Sequence, residues 1–312
     1  MKKLKSKCLV LMSGGLDSML SAKILKEEGL EVIPLCFESF FFSCIPAEKA
    51  CKQIGLKLRV EDFSKEHLKI IKSPKHGRGS GINPCIDCHL LMIKTAGKIM
   101  KKEGYDFIAT GEVLGQRPMS QNINSLNLIE KESGLKGLIV RPLSVKVLPA
   151  TIPEKLGIIK RDNFYDISGR GRGKQIELAK KFKIKEYPSP AGGCILTDPN
   201  YSQRLSELFK RVPKFTGNDA EIIKFGRIFW NKDLLIIVAR DAEECAKLTG
   251  LRKRGDVVLE PYNFSGPTVL VRKYKKSSQK EMIDCGTAYG FQYAKKIPDD
   301  FILKLLPSPK PL

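Results

Sequence analysis

The fold is decided by the stretch Leu9-Val10-Leu11-Met12-Ser13-Gly14-Gly15-Leu16-Asp17-Ser18. Its apolar beginning predicts a strand that ends at Met12, and residues 19–26 are typical of a helix. A glycine turn between a strand and a helix exposes the backbone N–H groups of the helix N-terminus, which bind anions. The two glycines leave room for a phosphate, the serines can donate hydroxyls to it, and Asp17 suits a metal or an oriented ligand. The sequence therefore predicts a phosphate-binding turn at residues 13–18, here called the first loop, with a ligand-free glycine turn as the alternative.

Strand and helix signals alternate through the first half of the chain. Apolar strand-like runs lie at residues 32–37, 56–60 and 107–110, and helical patterns separate them at residues 47–54, 65–71 and 90–102. This alternation predicts an α/β fold that has a parallel sheet with helices on both faces. Ligands of such sheets bind beyond the carboxyl ends of the strands, which is where the first loop lies.

The composition of the chain changes after Asp198-Pro199. Beyond this point two apolar runs flank the turn Asn231-Lys232-Asp233, which predicts a β-hairpin. Residues 213–219 have the glycine and proline content of a linker. We therefore predict two domains, residues 1–198 with the parallel sheet and residues 199–312 as a small α+β domain.

The net charge of the 312-residue chain is +21, from 55 basic and 34 acidic residues. The excess is spread over both predicted domains: residues 1–198 hold 34 basic and 21 acidic residues, and residues 199–312 hold 21 and 13. A charge this far from zero attracts polyanions, so the composition indicates nucleic acid as a partner. A lysine-rich solvated surface is the alternative.

Membrane and secretion signals are not found in the sequence. No stretch approaches the roughly 18 apolar residues of a membrane-spanning helix, and the basic start Met1-Lys2-Lys3 is not followed by a signal-peptide pattern. We therefore expect a cytoplasmic protein without a membrane partner, in which the nine cysteines are mostly reduced. Four of them lie in strand or helix patterns and are expected to act as small buried hydrophobes: Cys8, Cys36, Cys51 and Cys245.

Three other cysteines lie where a ligand can reach them. Cys85 and Cys88 form a Cys-x-x-Cys pair at the start of a helix pattern, and Cys194 follows Gly192-Gly193. Three thiolates leave one position open on a metal or a cubane cluster, and chemistry at the metal requires such a position. The alternatives are a catalytic pair that carries and resolves a persulfide, zinc with His89 as a fourth ligand, and buried structural cysteines.

A second polar stretch follows the last of the strand-like runs and is here called the second loop: Gly111-Glu112-Val113-Leu114-Gly115-Gln116-Arg117-Pro118-Met119-Ser120-Gln121. The first loop, with its Ser-Gly-Gly-x-Asp-Ser order, resembles the signature of the PP-loop ATP pyrophosphatases. The second loop and Arg141-Pro142-Leu143 resemble the tRNA 4-thiouridine synthetases, a branch of that superfamily that, like the tRNA 2-thiouridylases, thiolates tRNA. The resemblance covers about residues 7–198 and implies an adenine nucleotide alpha hydrolase-like fold for this ATP pyrophosphatase domain.

The resemblance also assigns roles to residues. It implies that the first loop binds the pyrophosphate of ATP and its Mg²⁺, with Asp17 also catalytic, through Ser13, Gly14, Gly15, Asp17 and Ser18. It implies that the second loop lies near the nucleotide and the target base, through Gly111, Glu112, Gln116 and Gln121. Iron–sulfur-dependent tRNA thiolases of this class hold a [4Fe-4S] cluster by a pattern that matches Cys85, Cys88 and Cys194 in number and order. The cluster is therefore the first expectation, a cysteine persulfide the second and zinc the third.

Basic residues predict where RNA would bind. Arg170, Arg172 and Lys174 belong to the Ser-Gly-Arg-Gly-Arg-Gly-Lys stretch at residues 168–174, here called the cationic loop. The second domain loosely resembles the RNA-associated NFACT-R module, through Gly226-Arg227, Asn231-Lys232-Asp233, Ala239-Arg240 and Gly266-Pro267. Its expected phosphate contacts are Arg252, Lys253, Arg254, Arg272, Lys273, Lys275 and Lys276.

Together these motifs predict ATP-dependent tRNA thiolation, in which a uridine is adenylated and then receives sulfur. The expected cofactors are ATP, Mg²⁺ and the cluster, and the expected partners are tRNA and a sulfur donor, either sulfide or a cysteine desulfurase. The alternatives are a PP-loop ligase that acts on a small molecule and a non-catalytic RNA-binding protein that retains a nucleotide fold. The sequence does not specify the modified uridine or the oligomeric state.

Overall fold

The computed structural model describes residues 5–189, 194–307 and 309. The chain forms two compact units, Met1–Thr197 and Asp198–Leu312. The division falls beside the change of composition at Asp198-Pro199. Within the described ranges, no helix combines the length and the apolar character that crossing a membrane would need.

The first unit is built on a sheet of five parallel strands in the order β3-β2-β1-β4-β5. The strands are β1 (Lys7–Leu11), β2 (Glu31–Glu38), β3 (Arg59–Asp62), β4 (Phe107–Ala109) and β5 (Ile139–Val140). The helices are α1 (Leu16–Glu27), α2 (Ile45–Ile54), α3 (Ser64–Lys72), α4 (Cys85–Glu103), α5 (Ile123–Ser133), α6 (Ile152–Lys155) and α7 (Gly173–Lys181). The predicted α/β class is therefore confirmed.

The central strand β1 is apolar on both faces. Cys8, Leu9 and Val10 are fully buried. Cys8 and Val10 pack with residues of α1, α2 and α7, whereas Leu9 packs with residues of α4 and α5. Successive side chains of a strand point to opposite faces, so a strand covered on both sides has a continuous apolar sequence. The prediction of helices on both faces is confirmed.

The strand order creates a crevice beside β1. Because β1 lies between β2 and β4, the chain leaves the centre of the sheet in both directions. Loops after the two central strands then diverge at the carboxyl edge, and ligands of parallel sheets bind at this switch point. The first loop follows β1 and the second loop follows β4, so both lie at the edge where a ligand is expected.

The second unit is an α+β structure with an antiparallel sheet in the order β10-β8-β9-β7-β6. Its strands are β6 (Arg227–Asn231), β7 (Leu234–Val238), β8 (Val257–Pro261), β9 (Val269–Lys273) and β10 (Leu303–Leu305), and its helices are α8 (Pro199–Arg211), α9 (Gly217–Ile222), α10 (Ala242–Leu251) and α11 (Gln279–Phe291). Met282 of α11 packs in the core with Ile236 and Val271 of the sheet. The predicted α+β class and the hairpin of β6 and β7 are confirmed.

The predicted linker at residues 213–219 is wrong in its last part. Thr216 caps α9, because its hydroxyl accepts a hydrogen bond from the Asp219 backbone N–H while the Asp219 carboxylate accepts one from the Thr216 N–H at 2.8 Å. Asp219 is buried, with 1% of its surface exposed. This reciprocal pair starts a helix where the glycine and proline content predicts a flexible connection.

One cysteine pairing departs from the expectation of reduced thiols. Cys36 of β2 forms a disulfide with Cys44, the residue before α2. Ser39 and Phe42 exchange backbone hydrogen bonds of 3.0 and 3.3 Å, so the chain folds back and brings Cys44 to the end of β2. Seven cysteines of the described residues are free: Cys8, Cys51, Cys85, Cys88, Cys194, Cys245 and Cys285.

Candidate active site

The backbone conformation and the packing of the first loop require glycine at position 14. Gly14 has a φ of +83°, and a Cβ atom built on it would lie 2.4 Å from the backbone carbon of Pro46, which belongs to α2. The Ser18 hydroxyl donates to the Gly15 carbonyl at 2.7 Å, and Ser13 Oγ accepts from the Gly15 N–H at 3.3 Å. The turn is therefore packed on α2 and braced by its own serines, with α1 beginning directly after Gly15.

The second loop contacts the first through another glycine. A Cβ on Gly111 would lie 2.6 Å from the Ser18 backbone nitrogen and 2.8 Å from the Asp17 carbonyl carbon. Gln116 Nε2 donates to Asp17 Oδ2 at 3.1 Å. The two loops predicted from the sequence therefore form one continuous surface.

Asp17 lies buried at the junction of the loops with one oxygen free of hydrogen bonds. Its Oδ1 atom has no hydrogen-bond partner among the described residues. Burial raises the pKa of this carboxyl above its usual value, although the Gln116 hydrogen bond and the charges of Arg172 and Arg117 oppose the rise. A cation beside Oδ1 would stabilise the ionised form, so the position suits a Mg²⁺ ion that accompanies phosphates.

The three cysteines predicted as ligands lie near enough for their charges to affect one another. Cys85 begins α4, Cys88 lies one turn further on, and Cys194 precedes a short turn of 3₁₀ helix. The Cys194 and Cys85 charges add to the effect of burial in raising the pKa of Cys88, and Cys85 also raises the pKa of Cys194. The Leu196 carbonyl accepts a hydrogen bond of 3.2 Å from the Ile82 N–H, which ties this segment to the loop before α4. Residues 190–193, which include the two glycines before Cys194, lie outside the described residues.

Cys85 differs from the other two thiols because cations and donors face it. Burial opposes its ionisation, but the hydrogen bond and charge of His89, together with Ser120 and Arg117, outweigh burial and hold the pKa of Cys85 below its usual value. Thiolates are the nucleophilic and metal-binding form of cysteine. Of the three thiols, Cys85 is therefore the one that most readily forms the thiolate.

A chain of buried charges leads from Cys85 into the second loop. His89 Nδ1 lies 2.8 Å from Glu112 Oε1, and Arg141 Nε donates to Glu112 Oε2 at 3.0 Å. The Arg141 guanidinium also donates to Glu130. Burial opposes ionisation of Glu112, but the charges of Arg141 and His89 lower the pKa of Glu112 to about 2. The carboxylate predicted as a nucleotide-site residue thus connects the second loop to α4.

His67 is a site residue that the sequence analysis missed. Its Nε2 atom lies 2.9 Å from Cys88 Sγ, and its ring is fully buried. Phe63 stacks on the imidazole at 5.1 Å between ring centroids, and Phe41 and Phe42 contact it at 5.3 and 5.2 Å. Burial lowers the pKa of His67 to about 4, so the ring is neutral at pH 7. The successive residues Phe41 and Phe42 were the available signal in the sequence. The side chain that they contact, His67, lies further along the chain on α3.

Arg117 connects the first loop with the thiols. The charge of this second-loop residue lowers the pKa of Asp17 and also the pKa values of Cys85 and Cys194. The charge of one residue thus acts on the first loop and on two of the three thiols.

The thiols are of the chemical type that the expected bound groups require. In the part of the chain that the structure describes, no three His, Cys, Asp or Glu side chains are gathered closely enough to hold a metal ion. Three neighbouring thiols are nevertheless a soft donor set, which favours iron–sulfur clusters or zinc over harder metals. Gln121 Oε1 is buried without a hydrogen-bond partner among the described residues of the second loop. His89 contacts Cys85 and Glu112, which leaves zinc ligation by His89 as a prediction.

The basic residues of the cationic loop have different surroundings. Arg172 precedes α7 and its charge reaches Asp17, whereas Arg170 is exposed. Lys174 forms a 2.8 Å ion pair with Asp166 on the surface. The three residues therefore do not form one uniform RNA-facing patch.

The basic residues of the second unit also differ in their surroundings, from exposed to fully buried. Arg254 is exposed, and Arg252 donates to the Thr249 carbonyl at 2.5 Å. Lys253 forms a 2.9 Å ion pair with Asp219. The prediction that Arg272 contacts phosphate is wrong, because its side chain is fully buried in ion pairs with carboxylates of the same unit.

Comparison with known proteins gives a family match within the first unit. Residues 4–146 match the family model described as thiamine biosynthesis protein (ThiI). A probable tRNA sulfurtransferase of Methanosarcina mazei is 27% identical over 190 residues, which are 58% of this chain and 44% of the relative. A tRNA-specific 2-thiouridylase MnmA of Geobacter metallireducens is 28% identical over 136 residues, which are 35% of this chain and 36% of the relative. The chain therefore spans less than half the length of each of these two relatives.

A solved structure of a 4-thiouridine synthetase–RNA complex with bound ATP is similar over 70% of this chain and 52% of that one, at 22% identity and a TM-score of 0.40. The resemblance predicted from the two loops is confirmed by the family match and the curated relatives: through residues 4–146 this chain is similar to the PP-loop proteins of tRNA thiolation.

Proposed function

We propose that this chain is an ATP-dependent tRNA sulfurtransferase of the ATP pyrophosphatase type. The observation that supports this function best is that the charge of Arg117 acts both on Asp17 of the first loop and on the thiols Cys85 and Cys194. An enzyme that only adenylates its substrate has no use for thiols beside its nucleotide site, whereas sulfur transfer to an adenylated base needs both.

The first step of the proposed reaction uses the two loops. ATP binds with its phosphates on the N–H groups of the first loop, where Gly14 and Gly15 allow close approach. A uridine carbonyl oxygen attacks the α-phosphorus, an O–P bond forms, and pyrophosphate leaves. Arg117 and the N-terminus of α1 stabilise the charge that develops on the phosphates. The target base must leave its stack to reach the first loop.

The second step uses the cysteines. Sulfur attacks the activated carbon of the base, the C–O bond breaks, and AMP leaves with the original oxygen. Cys85, whose pKa is lowered, is the thiol that ionises most readily and would be the first to bind the group that carries the sulfur. When sulfide is the attacking species, the exchange of oxygen for sulfur requires no oxidant or reductant.

The bound groups in this proposal follow the sequence expectations. Mg²⁺ would lie at Asp17 Oδ1, and a [4Fe-4S] cluster would be held by Cys85, Cys88 and Cys194. Such a cluster would supply a site that binds the sulfur to be transferred. A persulfide on one cysteine is the second option and zinc the third. His67 and His89 would orient Cys88 and Cys85 in any of these cases.

The proposed partners are tRNA and a sulfur donor, which is sulfide or a cysteine desulfurase. The +21 charge supports a polyanionic substrate, and Arg170, Arg252 and Arg254 provide surface contacts for its phosphates. Lys253 is already paired with Asp219 and contributes less. A cytoplasmic location stays a prediction.

Release of pyrophosphate from ATP tests the choice of substrate. We expect the full chain to release pyrophosphate only slowly without RNA and faster when unmodified tRNA is added. Equal release with and without tRNA would support a ligase that acts on a small molecule. No release under either condition would support a non-catalytic RNA-binding protein.

Metal analysis under anaerobic conditions tests the cysteine site. After reconstitution with iron and sulfide, we expect the broad visible absorption of an iron–sulfur cluster and about four iron atoms per chain. Cys85→Ser should lose this iron, while Cys245→Ser, which changes a free cysteine of the second unit, should retain it. Zinc without iron would contradict the cluster and support zinc. An active protein without any metal would contradict the cluster and support a cysteine persulfide.

A further inference from the structure

A loop of the first unit that the proposed function does not use lies next to the thiols. Residues 73–84, here called the strap, connect α3 to α4 and contain neither a helix nor a strand. The Ile82 N–H donates to the Leu196 carbonyl at 3.2 Å, in the segment that follows the third thiol. A Cβ atom on Gly79 would overlap Met119 Sδ, so the strap also contacts the second loop. The strap therefore reaches both chain segments that hold the three thiols.

One side chain of the strap bridges two helices. His76 Nδ1 lies 2.9 Å from Asp87 Oδ1 in the first turn of α4, and His76 Nε2 lies 3.0 Å from Glu132 Oε1 near the end of α5. The His76 backbone N–H donates to the other Asp87 oxygen at 2.9 Å. Only 14% of the His76 side chain and 7% of the Asp87 side chain are exposed. The imidazole thus connects the strap to both helices from a largely buried position.

The two carboxylates require that the His76 ring be protonated on both nitrogens. A neutral imidazole has one N–H group and would turn a lone pair towards one of the carboxylates, whereas the imidazolium donates to both. Accordingly, the hydrogen bond with Asp87 raises the pKa of His76 above its usual value, and the Glu132 hydrogen bond adds to this rise against the effect of burial. Lys75 donates to both oxygens of Glu132 at 2.8 Å. Two cations therefore balance the two carboxylates of this cluster.

The contact with Asp87 acts on the thiols because of its place in the sequence Cys85-Ile86-Asp87-Cys88. These four residues form the first turn of α4 and move together. Asp87 contacts the strap, while Cys88 is buried with 7% of its surface exposed. Residues that hold a ligand-bearing segment from outside determine how well a site is formed. The alternative role of Asp87 is a favourable interaction with the helix dipole, which needs no histidine.

We propose that His76 is a positioning residue for the thiols of Cys85 and Cys88. Through Asp87 its imidazolium holds the first turn of α4, and through Glu132 it holds the strap on α5. The inference deepens the proposed function, because it takes these thiols as the site of sulfur chemistry. Its tests need no ATP, RNA or bound metal, so they can fail or succeed independently of sulfur transfer.

Alkylation of the reduced, metal-free full chain by iodoacetamide, followed by mass spectrometry of its peptides, tests the positioning role. We expect Cys88 of His76→Ala to react at least about tenfold faster than in the wild type, because the loss of charged hydrogen bonds favours local opening by that factor. Cys51, which is buried in α2, should react as in the wild type and reports whether the whole unit has unfolded. Ser80→Ala changes an exposed side chain of the same strap and should leave the Cys88 rate unchanged.

Nuclear magnetic resonance of the chain with ¹⁵N-labelled histidine tests the charge of the ring. The sequence contains three histidines, and His76→Gln identifies the signals that belong to this one. We expect both His76 nitrogens to have the chemical shifts of an imidazolium at pH 7. A histidine that only fills space has no need of this charge, so a neutral His76 ring at pH 7 would overturn the proposal.

The rate of Cys88 alkylation also has an outcome against the proposal. A wild-type rate in folded His76→Ala would show that the strap contact does not position this thiol. If Cys51 also reacts faster in His76→Ala, the variant is unfolded and Glu132→Gln takes its place, since it removes one of the two charges that face the ring. Faster reaction of Cys88 in Glu132→Gln, with Cys51 unchanged, would support the proposal, and a wild-type rate would overturn it.

Discussion

Gly111 joins the two loops because it has no side chain. A Cβ at this position would lie within 2.8 Å of the backbone of both Asp17 and Ser18. We expect Gly111→Ala to push the loops apart and weaken ATP binding at least about tenfold, since backbone atoms cannot yield to a methyl group. Fluorescence titration with a labelled ATP analogue measures the effect.

The matched control for Gly111→Ala is Gly250→Ala in α10, where a Cβ meets no atom within 4 Å. Alanine is favoured over glycine within a helix, so this variant should bind nucleotide as the wild type does. Equal ATP affinities of the two alanine variants would show that the loops do not meet as described.

The residue His67 has a packing role that is separate from its contact with Cys88. Its ring fills a space between Phe41, Phe42 and Phe63. We expect His67→Ala to lower the free energy of unfolding by about 3 kcal/mol, as for other buried rings replaced by alanine. Urea unfolding followed by circular dichroism gives this value.

Glu66→Ala provides the comparison for His67→Ala, because Glu66 is exposed on the same helix. Its effect should stay within about 0.5 kcal/mol. If both variants unfold at the same urea concentration, the burial assigned to the His67 ring is wrong.

Single residues also set the limit of what the sequence could predict. Gly14, Gly15 and Asp17 are recognisable because their order along the chain is itself the motif. His67 and His76 are not, since each acquires its role from a side chain that is distant in sequence, Cys88 in one case and Glu132 in the other. No local pattern carries such a contact.

At the scale of elements, α9 and β9 are joined by buried charges. Arg272 of β9 donates to Asp219 of α9 at 2.8 Å and to Asp256 at 2.7 Å. Burial opposes ionisation of Asp219, but hydrogen bonds from Thr216 and Lys253 hold the pKa of Asp219 below its usual value. A carboxyl with a depressed pKa in the folded state contributes stability above its unfolded pKa, and this stability is lost as the pH falls.

We therefore expect the second unit to lose stability progressively below about pH 4, the unfolded pKa of aspartate. Asp219→Asn should destabilise this unit by about 3–5 kcal/mol at pH 7, because Arg272 is left without one of its partners. The difference from the wild type should shrink as the pH falls below 4. Trp230 is the only tryptophan of the chain and lies on β6, so its fluorescence during urea unfolding reports on the second unit.

Asp284→Asn is the control for this pH series, since Asp284 is exposed on α11. It should unfold like the wild type at every pH. A constant difference between Asp219→Asn and the wild type from pH 7 to pH 3 would contradict the role given to the Asp219 charge.

Elements were predictable where hydrophobic periodicity was strong. The alternation of apolar strands and helices in the first unit predicts the parallel sheet, because β1 and its neighbours are buried on both faces. Helix α9 was missed although Thr216 and Asp219 form a capping pair, because Pro213 and Gly217 point to a linker. Helix α7 begins at Gly173, inside a stretch whose glycines predict a loop.

At the scale of the whole molecule, the positive charge governs the RNA binding that we propose. With a net charge of +21, tRNA affinity should fall steeply with salt, since each phosphate contact releases counterions. We expect Arg254→Ala to reduce the slope of log affinity against log salt by about 1. Fluorescence anisotropy with labelled tRNA over a salt series measures the slope.

Arg254→Lys keeps the charge and should keep the slope, which separates a phosphate contact from a specific role of the guanidinium. A tRNA affinity that does not change with salt would contradict the electrostatic account of the charge excess.

Mass spectrometry of nucleosides from unmodified tRNA tests the central claim most directly. The tRNA is incubated anaerobically with ATP, Mg²⁺, sulfide and either the reconstituted wild-type chain, Cys194→Ser or Cys245→Ser. We predict that the wild type and Cys245→Ser produce thiouridine, and that Cys194→Ser produces none while still binding ATP. Thiouridine from Cys194→Ser at the wild-type level, or none from the wild type, would contradict sulfur transfer that depends on both the first loop and the three thiols.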